Sequence, residues 1–149
     1  MLKAVNHIPI RKQIENLPKV KSFLESISRN SKQSKNTYQT GIKHFQQFLN
    51  IKHPGKTVES ILYFLNNSNR REQKIDVYEL MDNFVSFLIQ LNLSIPSINL
   101  YIAATRSYLA YYDIDIIPSK FKRKVKMPKQ YREDEEALDV SDIRKIFSL

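Results

Sequence analysis

The stretch SKNTYQTGIKHFQQFLN, residues 34–50, places an apolar side chain on every helical turn. A spacing of three or four residues is the period of an α-helix that buries one face. Ser34 stands before the stripe, where its hydroxyl is predicted to cap the helix. The apolar stripe consists of Tyr38, Ile42, Phe45 and Leu49. The pattern predicts an amphipathic helix whose apolar side the rest of the chain has to cover.

Similar periods predict further helices on both sides of this one. A short helix is predicted over residues 18–29, and another follows Thr57, which can cap it. Asp76 and Glu79 form a capping-box pair ahead of a strongly apolar helix, the predicted centre of the core. Ser94 is predicted to cap a second long helix.

Glycine is scarce in the chain, and this argues against a β-rich fold with many tight turns, because only two glycines are present. We predict an all-α fold: a small bundle of four main helices, with an extra N-terminal helix and a C-terminal linker plus short helix. The helix after Asp76 is predicted to turn Val85 and Ile89 inward as well. The predicted core is Tyr38, Phe45, Leu62, Met81, Phe84, Leu88, Ile102 and Leu109.

The sequence also predicts where the helical domain begins and ends. Residues 1–17 are predicted to be an N-terminal arm, and residues 18–118 the helical domain. Residues 119–137 are predicted to form a linker that is first basic and then acidic. Ser141 can cap a last helix whose apolar stripe stops unfinished. Residues 138–149 are therefore predicted to be the truncated start of a second domain.

The net charge of +9 is distributed in blocks. Residues 1–60 hold eleven Lys and Arg against three Asp and Glu, and residues 118–132 hold seven against none. Residues 61–117 are near neutral, with four against six, and residues 133–149 are acidic, with two against six. Segregated basic charge indicates a polyanionic partner. Nucleic acid fits better than a membrane surface, because the densest basic run is short and bounded by prolines.

The polar faces of the two long helices match the chemistry of a nucleic-acid groove. Amide and hydroxyl groups can read base edges, and lysines can contact phosphate. The alternative is an ordinary solvated face. Gly41 can let a helix or a DNA backbone approach closely, or it can be tolerated without a role. The first face consists of Lys35, Gln39, Thr40, Lys43, Gln46 and Gln47, and the second includes Ser97, Asn99, Arg106 and Ser107.

Several classes of site are not predicted. The chain has no cysteine, and its three histidines show no ligand spacing, so neither a metal nor a cofactor is expected. No glycine-rich phosphate loop is present, and no base is arranged near a tyrosine. No apolar run approaches the roughly 18 residues of a membrane span, and no signal peptide opens the chain. A cytoplasmic, intracellular protein of prokaryotic, viral or mobile-element origin is expected.

The order of these elements resembles the N-terminal core-binding domain of the tyrosine recombinases, the phage-integrase type. The resemblance covers roughly residues 19–149 and rests on order and spacing, since each motif is degenerate. EEALDVSDIRKIF resembles the start of the family's catalytic domain. The helical motifs are SKNTY followed by GIKHFQQFL, then FVSFLIQLNLS, then IPSINLYIAATRSYLAYYDIDIIPSKF.

The resemblance implies that the chain binds double-stranded DNA within a C-shaped clamp. Two core-binding helices of that family enter the major groove, and by position these are the helices after Ser34 and Ser94. The isolated domain is expected to be a monomer and the full-length protein a tetramer on paired DNA sites. No catalytic residue is expected in this chain. The implied DNA-binding residues are Lys32, Lys35, Gln39, Thr40, Lys43, Ser97, Asn99, Arg106, Lys120, Lys122, Arg123, Lys124 and Lys126.

Two other interpretations remain open at this point. A basic helical protein-interaction module would explain the helices, but it would not explain two basic blocks around a neutral middle. A helical RNA-binding module would be expected to interleave exposed aromatic side chains for base stacking, and the sequence shows no such pattern.

Overall fold

The computed structural model describes residues 8–66 and 74–129. Within these ranges 71% of the residues are helical and no strand is present, so the predicted all-α bundle is confirmed. None of the helices in the described ranges is both long enough and apolar enough to cross a membrane. The predicted helix after Ser141 lies outside these ranges. The helices are α1 (Ile10–Glu15), α2 (Pro18–Ser28), α3 (Lys32–Lys52), α4 (Ser60–Leu65), α5 (Val77–Gln90), α6 (Ile95–Tyr111) and α7 (Pro118–Lys124).

Three of the described helices, α3, α5 and α6, have side-chain caps at their N-termini. Asp76 caps α5 and Ser94 caps α6, as predicted, since their side-chain oxygens accept hydrogen bonds from backbone N–H groups. The predicted cap of α3 is wrong. Ser31 accepts the hydrogen bond, from the backbone N–H of Ser34 at 3.2 Å, and the helix begins three residues earlier. Both serines satisfy the capping rule, and the polar residues between them extend the helix by almost a turn.

The core forms where α3, α5 and α6 meet. Its centre is aromatic: Phe84 lies 5.2 Å from Phe45 and 5.3 Å from Phe48 between ring centroids. The predicted core residues are buried, except that Tyr38 is only partly buried. Eight of the 14 residues of α5 are buried, which fits its predicted place at the centre. Ile89 was predicted to face inward and is instead 45% exposed, in the last turn of α5.

α3 and α6 pack closely because Gly41 has no side chain. A Cβ at this position would lie 2.8 Å from Cβ of Ala104 and 3.4 Å from Cα of Tyr101. Real carbon atoms do not approach so closely, so any larger residue at position 41 would force the two helices apart. Of the roles considered for this glycine, the structure supports close contact with another helix.

Gln46 was predicted on the polar face of α3, and this is wrong, because it is only 1% exposed. Its Oε1 accepts a hydrogen bond from the backbone N–H of Val58 at 2.9 Å. Its Nε2 donates to the carbonyl oxygen of Lys56 at 3.2 Å and to Oδ1 of Asn50 at 2.9 Å. The amide is therefore fully used in holding the loop between α3 and α4, and it is buried without an unmet polar group.

The two ends of the described chain are also packed on the bundle. Ile14 of α1 is fully buried, and Nδ2 of Asn50 on α3 donates to Oε1 of Gln13 at 3.0 Å. At the other end, Phe121 of α7 and Val125 just after it are buried. The helical domain therefore includes α1 within the predicted arm, and it continues through Val125 into the predicted linker.

Candidate nucleic-acid interface

Four of the seven described helices contain no carboxylate: the short helix α4 and the three helices α3, α6 and α7. None of the 21 residues of α3, the 17 of α6 or the seven of α7 is Asp or Glu. α3 and α6 are also the two helices that pack against each other at Gly41. The acidic residues of the described ranges stand on α1, α2, α5 and the loops. α3, α6 and α7 therefore offer no negative side chain of their own, although Glu15 stands on the neighbouring α1 and Asp82 of α5 accepts a hydrogen bond from the backbone N–H of Lys126 at 3.0 Å.

The helical period shows which helices lie on the outer sides of α3 and α6. Successive residues are rotated by about 100°, so residues two apart lie on nearly opposite sides of a helix. Gly41 faces α6, and Gln39 and Lys43 lie on the opposite side, where they line a groove with α1. Ala104 faces α3, and Arg106 lies opposite, 3.9 Å above the ring centroid of Phe121 on α7. The helices on this side are therefore ordered α1, α3, α6, α7.

Between the two outer helices lies a surface that carries no charged side chain. On α3 it includes His44, whose ring centroid is 4.8 Å from that of Tyr101 on α6. Burial lowers the pKa of His44, a hydrogen bond with Gln47 raises it and Lys43 lowers it, with a net decrease that favours the neutral ring at pH 7. We call this surface the neutral strip, and it consists of Thr37, Thr40, His44, Gln47, Asn99, Leu100, Ala103 and Ser107.

Cations border the neutral strip on both sides. Arg11 and Lys43 line the groove between α1 and α3. On the far side Arg106, Lys122 and Lys126 line a groove of about 660 Å³ between α6 and α7. Within the described residues, none of these five side chains forms an ion pair with a carboxylate. Their charge is available to a polyanion, and the uncharged strip lies between the two cationic borders.

The cations of α7 and of the residues just after it divide between two surfaces. Lys122 and Lys126 face the groove beside Arg106. Lys120 and Lys124 line a different hollow, of about 560 Å³, which also contains Asp76 and Asp115. The sequence grouped all of them as phosphate contacts together with Arg123, which is exposed and lines neither cavity. The structure brings only the first pair to the border of the neutral strip.

The uncharged candidates differ in the groups that they leave available. The hydroxyl of Thr40 donates to the carbonyl oxygen of Asn36 at 3.0 Å, so it offers only lone pairs to a ligand. Ser97 takes part in the N-cap of α6, where its Oγ accepts from the Ser94 hydroxyl at 3.0 Å. Asn99 is exposed, and neither its amide nor that of Gln39 has a hydrogen-bond partner within the described ranges. These two amides keep their full capacity for a ligand.

Lys32 and Lys35 occupy the first turn of α3, next to its N-cap Ser31. Cations there lie near the positive end of the helix dipole, which is unfavourable in the absence of an anion. Sequence reasoning missed Arg11, since the segment before residue 18 showed no clear period. It also missed His44 as a member of the surface, because the histidines were considered only as metal ligands.

Comparison of the chain with models of known protein families, with curated proteins and with solved structures finds no match. The assignment of this surface therefore depends on the chain's own residues.

Proposed function

We propose that this chain binds duplex DNA, as the core-binding domain of a tyrosine recombinase. The observation that carries the proposal is that three adjacent helices, α3, α6 and α7, contain no carboxylate. A carboxylate at such a surface would be repelled by phosphate, whereas Lys and Arg gain from neutralising it. The surface that these three helices present is therefore compatible with a polyanion.

The arrangement of charge favours a duplex over a diffuse polyanion. A major groove is about 12 Å wide and is bordered by phosphates on both sides. The neutral strip would lie over the groove, with Arg11 and Lys43 near one backbone and Arg106, Lys122 and Lys126 near the other. Phosphate contacts would set the position of the protein, and Asn99 would be available for base edges.

The recombinase assignment is part of the same proposal. Its support is the order of the sequence motifs together with a helical bundle in which the two proposed groove helices are neighbours. In this proposal the catalytic residues belong to a following domain, and this chain contributes DNA binding alone. A monomeric domain would then become part of a tetramer of the full-length protein on paired sites.

A competition assay tests the proposal against the RNA-binding and protein-interaction alternatives. The chain is bound to a labelled duplex and displaced with unlabelled duplex DNA or with single-stranded RNA of equal phosphate number. We expect the duplex to compete at least tenfold better, since the two cationic borders are matched to two backbones. Equal or better competition by the RNA would contradict the proposal, and so would a lack of binding to either nucleic acid.

A further inference from the structure

The groove between α1 and α3 brings together two cations that no carboxylate accompanies. It has a volume of about 230 Å³. Its lining residues are Arg11, Ile14, Asn36, Gln39, Thr40 and Lys43. Glu15 stands four residues after Arg11 on α1, at a spacing that commonly gives an ion pair on a helix. No ion pair joins them in the described structure.

The groove is held in place by packing on both sides. Ile14 is fully buried against the bundle, and the hydrogen bond between Asn50 and Gln13 ties the C-terminal half of α1 to α3. Arg11 is therefore presented from a docked helix. Two positive charges that share a groove make its electrostatic potential strongly positive. A ligand that reduces the repulsion between them has to be an anion.

The uncharged lining narrows the class of anion. Asn36 and Gln39 can each donate two amide hydrogens, and the hydroxyl proton of Thr40 is already used within α3. A guanidinium, an ammonium and amide donors around a small groove match the oxygens of one phosphate group. Because the groove lies at the edge of the neutral strip, a phosphodiester of the nucleic-acid backbone is the ligand that the surrounding surface fits.

We propose that Arg11 and Lys43 together hold a single backbone phosphate, with Gln39 donating to the same phosphate. This inference rests on the proposed function, because the phosphate belongs to the bound duplex. It changes two roles that the sequence suggested. α1 becomes part of the nucleic-acid interface, and Gln39 acts on the backbone instead of reading a base.

Salt titrations of duplex binding test the inference in a double-mutant cycle. If the two cations share one phosphate, the double variant Arg11→Ala/Lys43→Ala should lower the slope of log K against log salt by about one unit. Each single variant should change the slope by less, because the other cation still holds the phosphate. Near 0.1 M salt the double variant should bind roughly tenfold more weakly. Lys12→Ala is the matched control, since Lys12 is a neighbouring exposed cation of α1 that does not line the groove.

The possible outcomes separate this inference from the proposed function. If the unaltered chain fails to bind duplex DNA, the proposed function fails. If it binds and the double variant keeps the full slope, only the shared phosphate is overturned. A loss of two units that is additive over the single variants would indicate two separate phosphates and would also overturn it. If Lys12→Ala lowers the salt slope as much as the double variant does, only the overall charge of α1 matters, and the shared phosphate is overturned.

Gln39→Ala gives a second readout that does not depend on removing a charge. If Gln39 donates to phosphate, the variant should bind a selected duplex and a scrambled duplex more weakly by the same factor. Asn99→Ala should instead reduce the preference for the selected duplex, because Asn99 lies on the neutral strip. A loss confined to the selected duplex in Gln39→Ala would return this residue to base readout. Unchanged melting temperatures would show that the variants remain folded.

Discussion

Phe84→Ala should lower the free energy of unfolding by about 3–5 kcal/mol, the usual cost of truncating a buried phenylalanine. Phe84 is fully buried at the point where α3 and α5 meet, and its ring contacts those of Phe45, Phe48 and Phe87. The cavity would be surrounded by three large rings that cannot easily collapse into it. Domains of this size are stable by only about 5–15 kcal/mol, so the variant should be close to unfolding at 37 °C.

Urea denaturation followed by circular dichroism measures this change. Ile89→Ala is the matched control, because Ile89 lies on the same helix and is 45% exposed. It should cost less than about 1 kcal/mol, as expected of a partly exposed position. A loss below 1 kcal/mol for Phe84→Ala would show that the centre of the core is assigned to the wrong helix face.

Lys122→Ala combined with Lys126→Ala should weaken binding to every duplex by roughly a hundredfold near 0.1 M salt, and should lower the salt slope by about two units. Both lysines line the groove beside Arg106 at the edge of the neutral strip, and neither reads a base in this account. The loss should therefore be equal for selected and scrambled duplexes.

The matched control for this pair is Lys120→Ala combined with Lys124→Ala. These two changes remove the same charge from the same short stretch of chain, but they act on the hollow that contains Asp76 and Asp115. The control should change the salt slope by less than about one unit. If both pairs of changes weaken duplex binding equally, it makes no difference to binding which of the two cavities a lysine lines. If Lys122 and Lys126 affect only the selected duplex, the docking of the helices has to be reversed.

Much of the fold could be predicted because its determinants are local. Asp76 and Ser94 cap the helices that they precede in sequence, and the apolar period placed Phe45, Met81 and Ile102 in the core. These features depend on residues within a turn or two of each other. The cap predicted at Ser34 is wrong because Ser31 satisfies the same local rule. Thr57 accepts a hydrogen bond from the backbone N–H of Ser60, but the N-cap residue of α4 is Glu59.

The features of the fold that were not predicted depend on contacts between residues that are distant in sequence. Gln46 is polar and lies next to other polar residues, yet the backbone of Val58, twelve residues away, satisfies its amide inside the protein. Ile89 has the apolar character of a core residue, but it is 45% exposed within the described part of the chain. Such differences are decided by which elements meet, and helical period alone does not contain that information.

The candidate interface was predictable in composition but not in arrangement. The absence of carboxylates from the polar face of α3 is visible in the sequence, and so is the cationic run of α7. Which cations share a surface depends on docking. α1 adds Arg11 beside Lys43, while Lys120 and Lys124 lie beside a different hollow from Lys122 and Lys126. Ser97 was predicted as a base contact, and the structure adds that its Oγ accepts a hydrogen bond from the Ser94 hydroxyl at the N-cap of α6, which leaves its own hydroxyl proton for a ligand.

The measurement that tests the central claim most directly is the salt dependence of duplex binding by the unaltered chain. If about six phosphates are neutralised, the affinity should fall roughly a thousandfold between 50 and 200 mM salt. The fall should be nearly the same for any duplex sequence, because most of the binding energy would come from the cationic borders. An affinity that changes little over this range would contradict the proposal that this side of the bundle binds the DNA backbone.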